Sequence, residues 1–293
     1  MKRLEKKINL LAPAKINAFL EIMGRRSDGY HDLKTLFIPV SLYDKIELDL
    51  ISDGIKVFCS DEDAPSDENN LAAKAARLFF ERTGIESGLE IRIEKNIPVA
   101  AGLGGGSSDA AAVLKGLNSY FGAPFGIREL CSMGLGLGAD VPFFIHSVPS
   151  YAEGIGEILA PVEKMVPYEV LIVNPGVPLS TAEVYKNLNL GLTKCKKENK
   201  YPALNQGLCD IKEILCNDLE ISAMSLCPVI EEIKAYITGQ DADGVLMSGS
   251  GPSVFGLFSD ADKAKKAAGI IKANTKWWAC QVEMILGPYG FAA

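Results

Sequence analysis

The chain has 293 residues, 48% of them hydrophobic and 23% charged, with a formal net charge of −7. This composition fits a globular protein with a substantial core and a length suited to two domains. An acidic chain without a Lys/Arg stripe speaks against a nucleic-acid polymer as partner, and no uncharged apolar run approaches the roughly 18–20 residues of a membrane span.

In chain order, residues 7–24 alternate as one or two strands with a bend at Pro13, and Arg25 to Gly29 reads as a turn. Segments 31–42, 45–50 and 54–60 alternate as further strands, so the chain opens as an antiparallel β region. After the polar loop 61–70, residues 71–83 carry helical apolar spacing, and 89–95 is the next strand. A helix over 107–121, a short helix from Ile127 and a strand pair around Tyr151 to Leu159 complete the first half. The second half opens with an apolar strand at 168–175 and a loop into a helix at 178–188, capped by Ser180 or Thr181. The Lys-rich stretch 189–202 reads as an exposed connection. Two helices parted at Pro228, a strand–glycine turn–strand unit at 243–258, a helix at 260–273 and a last strand at 276–286 follow. The expected class is α+β, in two domains, 1–160 and 161–293.

Seven scattered cysteines without a CxxC pair, and only two histidines, His31 and His146, argue against a zinc site or a disulfide framework. The cysteines are expected to be reduced packing residues of a cytoplasmic protein. The basic start MKRLEKK is followed by Lys15 and Glu21 and no apolar core, so no signal peptide is expected.

The chemistry concentrates at 96–118, NIPVAAGLGGGSSDAAAVLKGLN. A strand end at Pro98 runs into Gly102, Gly104, Gly105 and Gly106, then Ser107, Ser108 and Asp109 open an Ala-rich helix. Glycines permit positive φ and close backbone approach to a ligand, and the free N–H groups and dipole of a first helical turn favour phosphate. The alternative is a flexible loop with a Ser/Asp helix cap. The loop lacks the Gly-Lys pair of a Walker A motif and a clean GxGxxG, and HRD and DFG are absent. Three further patches stand out: PAKIN (13–17), GADVPFF (138–144) and SGSGPS (248–253). Taken singly, Lys15 reads first as a solvated strand residue and second as a functional cation, Asp140 equally as a helix cap or a functional carboxylate, and SGSGPS equally as a hairpin turn or part of a site.

Taken together, the order PAKIN, SDGYH, GLGGGSSDAA, GADVPFF, SGSGPSVF resembles the GHMP kinase superfamily. Gly29-Tyr30-His31 with Leu33 and Thr35, the GGGSS loop and Ser180 to Tyr185 are similar to its branch acting on a cytidine-diphosphate-linked methylerythritol. The resemblance spans about residues 10–258. It implies an N-terminal domain of ribosomal protein S5 domain 2-like fold, a C-terminal ferredoxin-like domain and an active site between them. It also implies ATP and Mg²⁺ as cofactors, a small-molecule substrate, and a monomer or homodimer. The implied reaction moves the γ-phosphoryl of ATP to the 2-hydroxyl of 4-diphosphocytidyl-2-C-methyl-D-erythritol, a step toward isoprenoid precursors.

By that resemblance, Asp140 is the general base and Lys15 the cation that orients it and offsets phosphoryl charge. The stretch Pro98, Val99, Ala100, Ala101, Gly102, Leu103, Gly104, Gly105, Gly106, Ser107 and Ser108 wraps the triphosphate, with Ser108 a ligand of Mg²⁺. Ser248 to Gly251 buttresses this loop, and Asn70 and Lys95 lie near the adenosine. Tyr30, His31 and Tyr185 form the cytidine pocket, where aromatic faces stack on a base. Asn17 and Thr181 contact the erythritol or the diphosphate. Other members of the superfamily acting on homoserine or mevalonate remain alternatives, as does a catalytically silent relative.

Overall fold

The computed structural model describes residues 7–193, 195 and 208–287. Most of the expected exposed connection at 189–202, and the first six residues of the basic N-terminus, lie outside the described residues.

The elements run β1 (Lys7–Arg25), β2 (His31–Ile51), β3 (Ile55–Cys59), α1 (Leu71–Thr83), β4 (Gly88–Glu94), α2 (Gly105–Tyr120), α3 (Ile127–Leu135), α4 (Val141–His146), β5 (Ser150–Glu153) and β6 (Ile158–Pro161). They continue with β7 (Glu169–Asn174), α5 (Thr181–Lys186), β8 (Cys216–Asn217), α6 (Glu220–Leu226), α7 (Val229–Thr238), β9 (Gly244–Met247), β10 (Val254–Phe258), α8 (Ala261–Asn274) and β11 (Trp278–Glu283).

The first sheet is seven-stranded, in the order β3-β4-β2-β1-β8, with β5 on β2 and β6 on β5. The bend expected at Pro13 is a register shift between Pro13 and Ala14, not a break, and β1 continues through it. The two strands expected at 31–42 and 45–50 are one, because β2 stays paired to β1 on either side of that shift. One expectation is corrected: β3 and β4 pair in parallel. The long connection through α1 supplies the crossover that a parallel pair needs.

Helix α1 begins where Asn70 Oδ1 accepts from the Ala72 N–H and ends at Gly84 with φ 67°. Its small face, with Ala72, Ala75 and Ala76 buried, lets it approach α2 closely. Helix α2 is buried through Ala110, Ala111, Ala112, Val113 and Leu114. It passes so near β1 that a Cβ at Gly116 would lie 2.7 Å from Leu10 Cδ1.

The second sheet is four-stranded, in the order β11-β7-β10-β9, and antiparallel throughout. Both of its faces are covered. Val170, Ile172, Phe255, Leu257 and Val282 join Ile16, Leu36 and Ile38 of the first sheet in one buried cluster. Leu171, Val173, Val254 and Phe258 pack with Ile230 and Ile233 of α7 and Ala264 and Ile271 of α8. Burial on two sides explains why β7 reads as an unbroken apolar run. Strand β8 comes from the second half of the chain yet pairs with β1 of the first sheet.

A second correction concerns the cysteines, since Cys195 and Cys216 form a disulfide across 21 residues of sequence. Pairing of Cys216 with Phe19 places one partner, and Asp218 Oδ1 accepts the Cys195 N–H at 2.9 Å to place the other. Neither relation has a signature in the cysteine spacing.

Candidate active site

A cavity of about 1400 Å³ is bounded by β1 and β2, the glycine loop before α2, the start of α4, the helix α5 and the turn between β9 and β10. Along β1 the alternation sends Lys15 and Asn17 to the cavity side, and along β2 it sends Leu33, Thr35 and Phe37 there. Lys15 is thus not on a solvated strand face; it is buried, 4% exposed. Its ammonium donates to Asn17 Oδ1 at 2.6 Å and to the Gly102 carbonyl at 3.0 Å, and lies 3.7 Å from Asp140 Oδ2. Burial pushes the Lys15 ammonium below its usual range, and the Asp140 charge works in the opposite direction. Asn17 is held in turn, donating from Nδ2 to Thr35 Oγ1 at 2.8 Å, while Thr35 donates to the Phe19 carbonyl. Asp140 precedes α4 without making a side-chain capping bond, which leaves its carboxylate to face the cavity.

The glycine loop is built as a cradle. Gly102 and Gly104 both have φ of 75°. A Cβ on Gly102 would lie 2.2 Å from the Ser248 carbonyl oxygen, so only glycine fits where the loop meets the second half of the chain. Ser248 Oγ donates to the Gly102 carbonyl at 3.0 Å and accepts the Asn17 N–H, which joins β1, the loop and the β9–β10 turn. Helix α2 starts at Gly105 with Gly104 as its N-cap, two residues earlier than expected, so Ser107 and Ser108 lie inside its first turn and are not its cap.

Of the predicted loop residues, Pro98 through Gly102, Gly104 through Gly106 and Ser107 line the cavity. Leu103 and Ser108 do not. Leu103 is buried in the core, and its carbonyl accepts the Lys15 N–H. Ser108 is fully buried, and its Oγ has no hydrogen-bond partner among the described residues. An orphaned buried oxygen in the first turn of a phosphate-loop helix fits a metal ligand.

Asn70 and Lys95 also line the cavity, but both are engaged. Asn70 caps α1 and donates to the Pro65 carbonyl. Lys95 lies between Asp44 and Asp109, 2.9 Å from Asp109 Oδ2. Burial works against the Lys95 ammonium, yet Asp109 and Asp44 together raise it above its usual range. The Asp109 carboxyl is pushed up to about 7, chiefly by burial.

At the other end of the cavity the His31 and Tyr185 rings lie 5.2 Å apart with an interplanar angle of 33°, and Tyr30 is exposed beside them. Burial and the Arg25 charge lower the His31 pKa, which favours a neutral imidazole able to donate and accept. The Tyr185 phenol is raised by burial and by the Asp140 charge, so it stays protonated. Ser180 caps α5, and Thr181 Oγ1 lies 2.8 Å from Ser250 Oγ, tying this wall to the glycine turn. The Lys15–Asp140 pair therefore touches the glycine loop on one side, and its field reaches the aromatic wall on the other.

Residues 70–147 match the family model for the GHMP kinases N terminal domain, and residues 197–276 match that for GHMP kinases C terminal. The chain is 48% identical over 278 residues to a 4-diphosphocytidyl-2-C-methyl-D-erythritol kinase of Syntrophotalea carbinolica, covering 94% of this chain and 99% of that one. This chain belongs to the 4-diphosphocytidyl-2-C-methyl-D-erythritol kinase family. A crystal structure of a kinase so described superposes with a TM-score of 0.78 at 36% identity, over 97% of this chain and all of the other. The homoserine kinase of Cytophaga hutchinsonii, at 18% identity and a TM-score of 0.73 over 99% of this chain and 98% of the other, shares the fold alone. The chain is accordingly a GHMP-type kinase, an enzyme of the α+β class. No helix among the described residues is long and apolar enough to cross a membrane.

Within this 4-diphosphocytidyl-2-C-methyl-D-erythritol kinase site, sequence reasoning missed Phe37, Ile155 and Lys186, all on the cavity wall. The period-2 pattern of β2 could have found Phe37, since Leu33 and Thr35 lie on the same face. Nothing local marks Ile155, which reaches the site from the tip between β5 and β6.

Proposed function

We propose that this kinase transfers the γ-phosphoryl of ATP to the 2-hydroxyl of 4-diphosphocytidyl-2-C-methyl-D-erythritol, in a cytoplasmic step toward isoprenoid precursors. The observation that carries this reading is one continuous cavity. It has a glycine cradle at one end, the His31–Tyr185 pair at the other, and Lys15 and Asp140 between them.

Asp140 accepts the proton of the attacking hydroxyl. The hydroxyl oxygen bonds to the γ-phosphorus as its bond to the β-phosphate oxygen breaks, and ADP leaves. Lys15 orients Asp140 and stabilises the negative charge gathering on the attacking oxygen and the phosphoryl group. The backbone N–H groups from Gly104 to Ser107 bind phosphate oxygens. Mg²⁺, when bound, neutralises phosphate charge, and Ser108 Oγ would hold it together with the phosphates. Tyr30, His31 and Tyr185 stack on and read the cytosine, while Asn17 and Thr181 fix the polar middle of the substrate. Asn70 and Lys95 shape the adenosine side. This assignment divides the chain into working halves at 1–160 and 161–293.

The test is ADP release with Mg-ATP and, in parallel, 4-diphosphocytidyl-2-C-methyl-D-erythritol, mevalonate and homoserine. Release with the cytidyl compound alone is expected. Release with mevalonate or homoserine in its place would retain the phosphate cradle and discard the base-stacking wall.

A further inference from the structure

The two oxygens of the Asp140 carboxylate face different surroundings. Oδ2 faces Lys15 at 3.7 Å. Oδ1 faces Gly156, where a Cβ would lie 3.9 Å from it and 3.5 Å from Cζ of Phe37. Gly156 is buried and has φ 113°, a conformation open to glycine and strained for other residues. It sits at the tip between β5 and β6. That tip is pinned by the Leu33 N–H donating to the Gly154 carbonyl at 2.8 Å and by the Ile155 N–H donating to Glu157 Oε2 at 2.6 Å. The pinning holds Ile155, the chain neighbour of Gly156, on the cavity wall, which Phe37 also lines; the Phe37 ring is backed by Phe143 at 4.9 Å between centroids. On this side the base faces the space left by a missing side chain, closed by the Phe37 ring, and the next residue in the chain, Ile155, adds a branched aliphatic group to the cavity wall.

This chemistry suits one kind of acceptor. In the substrate of the proposed function, on which this inference rests, the carbon carrying the reacting hydroxyl also carries a methyl group. When that hydroxyl reaches Asp140, the methyl is one bond away and has to lie against a wall of the cavity. A polar wall would have to be desolvated without return, whereas Phe37 and Ile155 gain contact.

We propose that Phe37, Ile155 and Gly156 form a methyl recess beside Asp140, which makes this kinase select a methyl-branched tertiary carbinol over its unbranched counterpart. Gly156 provides the space, Ile155 and Phe37 provide the apolar surface, and the hydroxyl is delivered to Oδ1 of Asp140. One missing methyl group in an apolar pocket is worth roughly 10- to 200-fold in kcat/KM.

The experiment compares 4-diphosphocytidyl-2-C-methyl-D-erythritol with its unmethylated analogue, 4-diphosphocytidyl-erythritol, on the wild type, Ile155→Ala and Gly156→Ala. The wild type should prefer the methylated compound by roughly tenfold or more in kcat/KM. Ile155→Ala and Gly156→Ala should each lower turnover of the methylated compound more than that of the analogue, so the preference shrinks. The ratio is unaffected by a fraction of unfolded enzyme, because both compounds meet the same population. Equal use of the two compounds by the wild type, or an unchanged ratio in Ile155→Ala, would overturn the recess. Turnover of neither compound by the wild type would overturn the proposed function instead.

Discussion

Lys15 Nζ donates to the Gly102 carbonyl of the phosphate loop at 3.0 Å while lying 3.7 Å from Asp140 Oδ2, so one buried ammonium links the cradle to the base. Replacing the base should separate binding from chemistry. Asp140→Asn is expected to bind ATP with near-normal affinity and to lose about 10²- to 10⁴-fold in kcat, the usual worth of a general base. Equilibrium binding of ATP beside single-turnover rates checks both halves of this expectation. Unchanged turnover would remove Asp140 from its role.

The same ammonium gives a pH prediction. Burial lowers the Lys15 pKa, so its proton is lost at a pH below that of an ordinary lysine. The charged form is the one that orients Asp140 and offsets phosphoryl charge. Activity should therefore hold on the acid side of this transition and fall as pH rises through it. Lys15→Arg, whose guanidinium stays charged, should move that alkaline limb upward even if the rate itself is lower. Identical limbs in the two enzymes would assign the transition to another group.

Tyr185 faces His31 across 5.2 Å between ring centroids. Tyr185→Ala should raise KM for the cytidyl substrate roughly ten- to hundredfold, matching the ~1–3 kcal/mol of base–aromatic stacking, and leave KM for ATP almost unchanged. Equal increases for both substrates would show a general collapse of the cavity and not a lost stacking partner.

Gly102 has φ 75° and faces the Ser248 carbonyl, 2.2 Å from where a Cβ would stand. Gly102→Ala combines backbone strain with overlap against main chain that cannot rotate away. A loss of about 1–3 kcal/mol or more in urea unfolding is expected, together with weaker ATP binding. Gly122, also at positive φ but with open space around its Cα, is the control, because Gly122→Ala carries the strain without the overlap.

The Cys195–Cys216 bridge closes a loop across 21 residues of sequence. Opening it with dithiothreitol, or in Cys216→Ser, should cost about 3 kcal/mol of unfolding free energy. Urea midpoints measured with and without reductant check this, and coincident midpoints would show that the bridge does not contribute in solution.

What could be read from the sequence divides along physical lines. Helix α1 was expected at 71–83 and is found there, because Asn70 and Gly84 punctuate it locally. The separation of α6 from α7 at Pro228 was legible for the same reason. Lys15 was not legible alone. An isolated lysine in a strand carries no sign of which face is buried, and its burial comes from Gly102, Asn17 and Asp140, brought together from three parts of the chain. Strand β8 and the cysteine bridge were missed because both depend on a two-residue pairing with β1. Phe37 was legible in the alternation of β2, on the face of Leu33 and Thr35, whereas Ile155 was not, because its tip is carried to the cavity by a pairing of β2 with β5 that no local pattern announces.

The cluster that joins Ile16 and Ile38 of the first sheet to Ile172 and Phe255 of the second has a mechanical meaning. The two halves of this enzyme are welded by a common interior and are not jaws on a hinge. Separating them would expose apolar surface on both sheets at once, so the gap between nucleotide and acceptor is set when the chain folds. Tyr30 and Leu190, both exposed, stand where the cavity wall meets solvent.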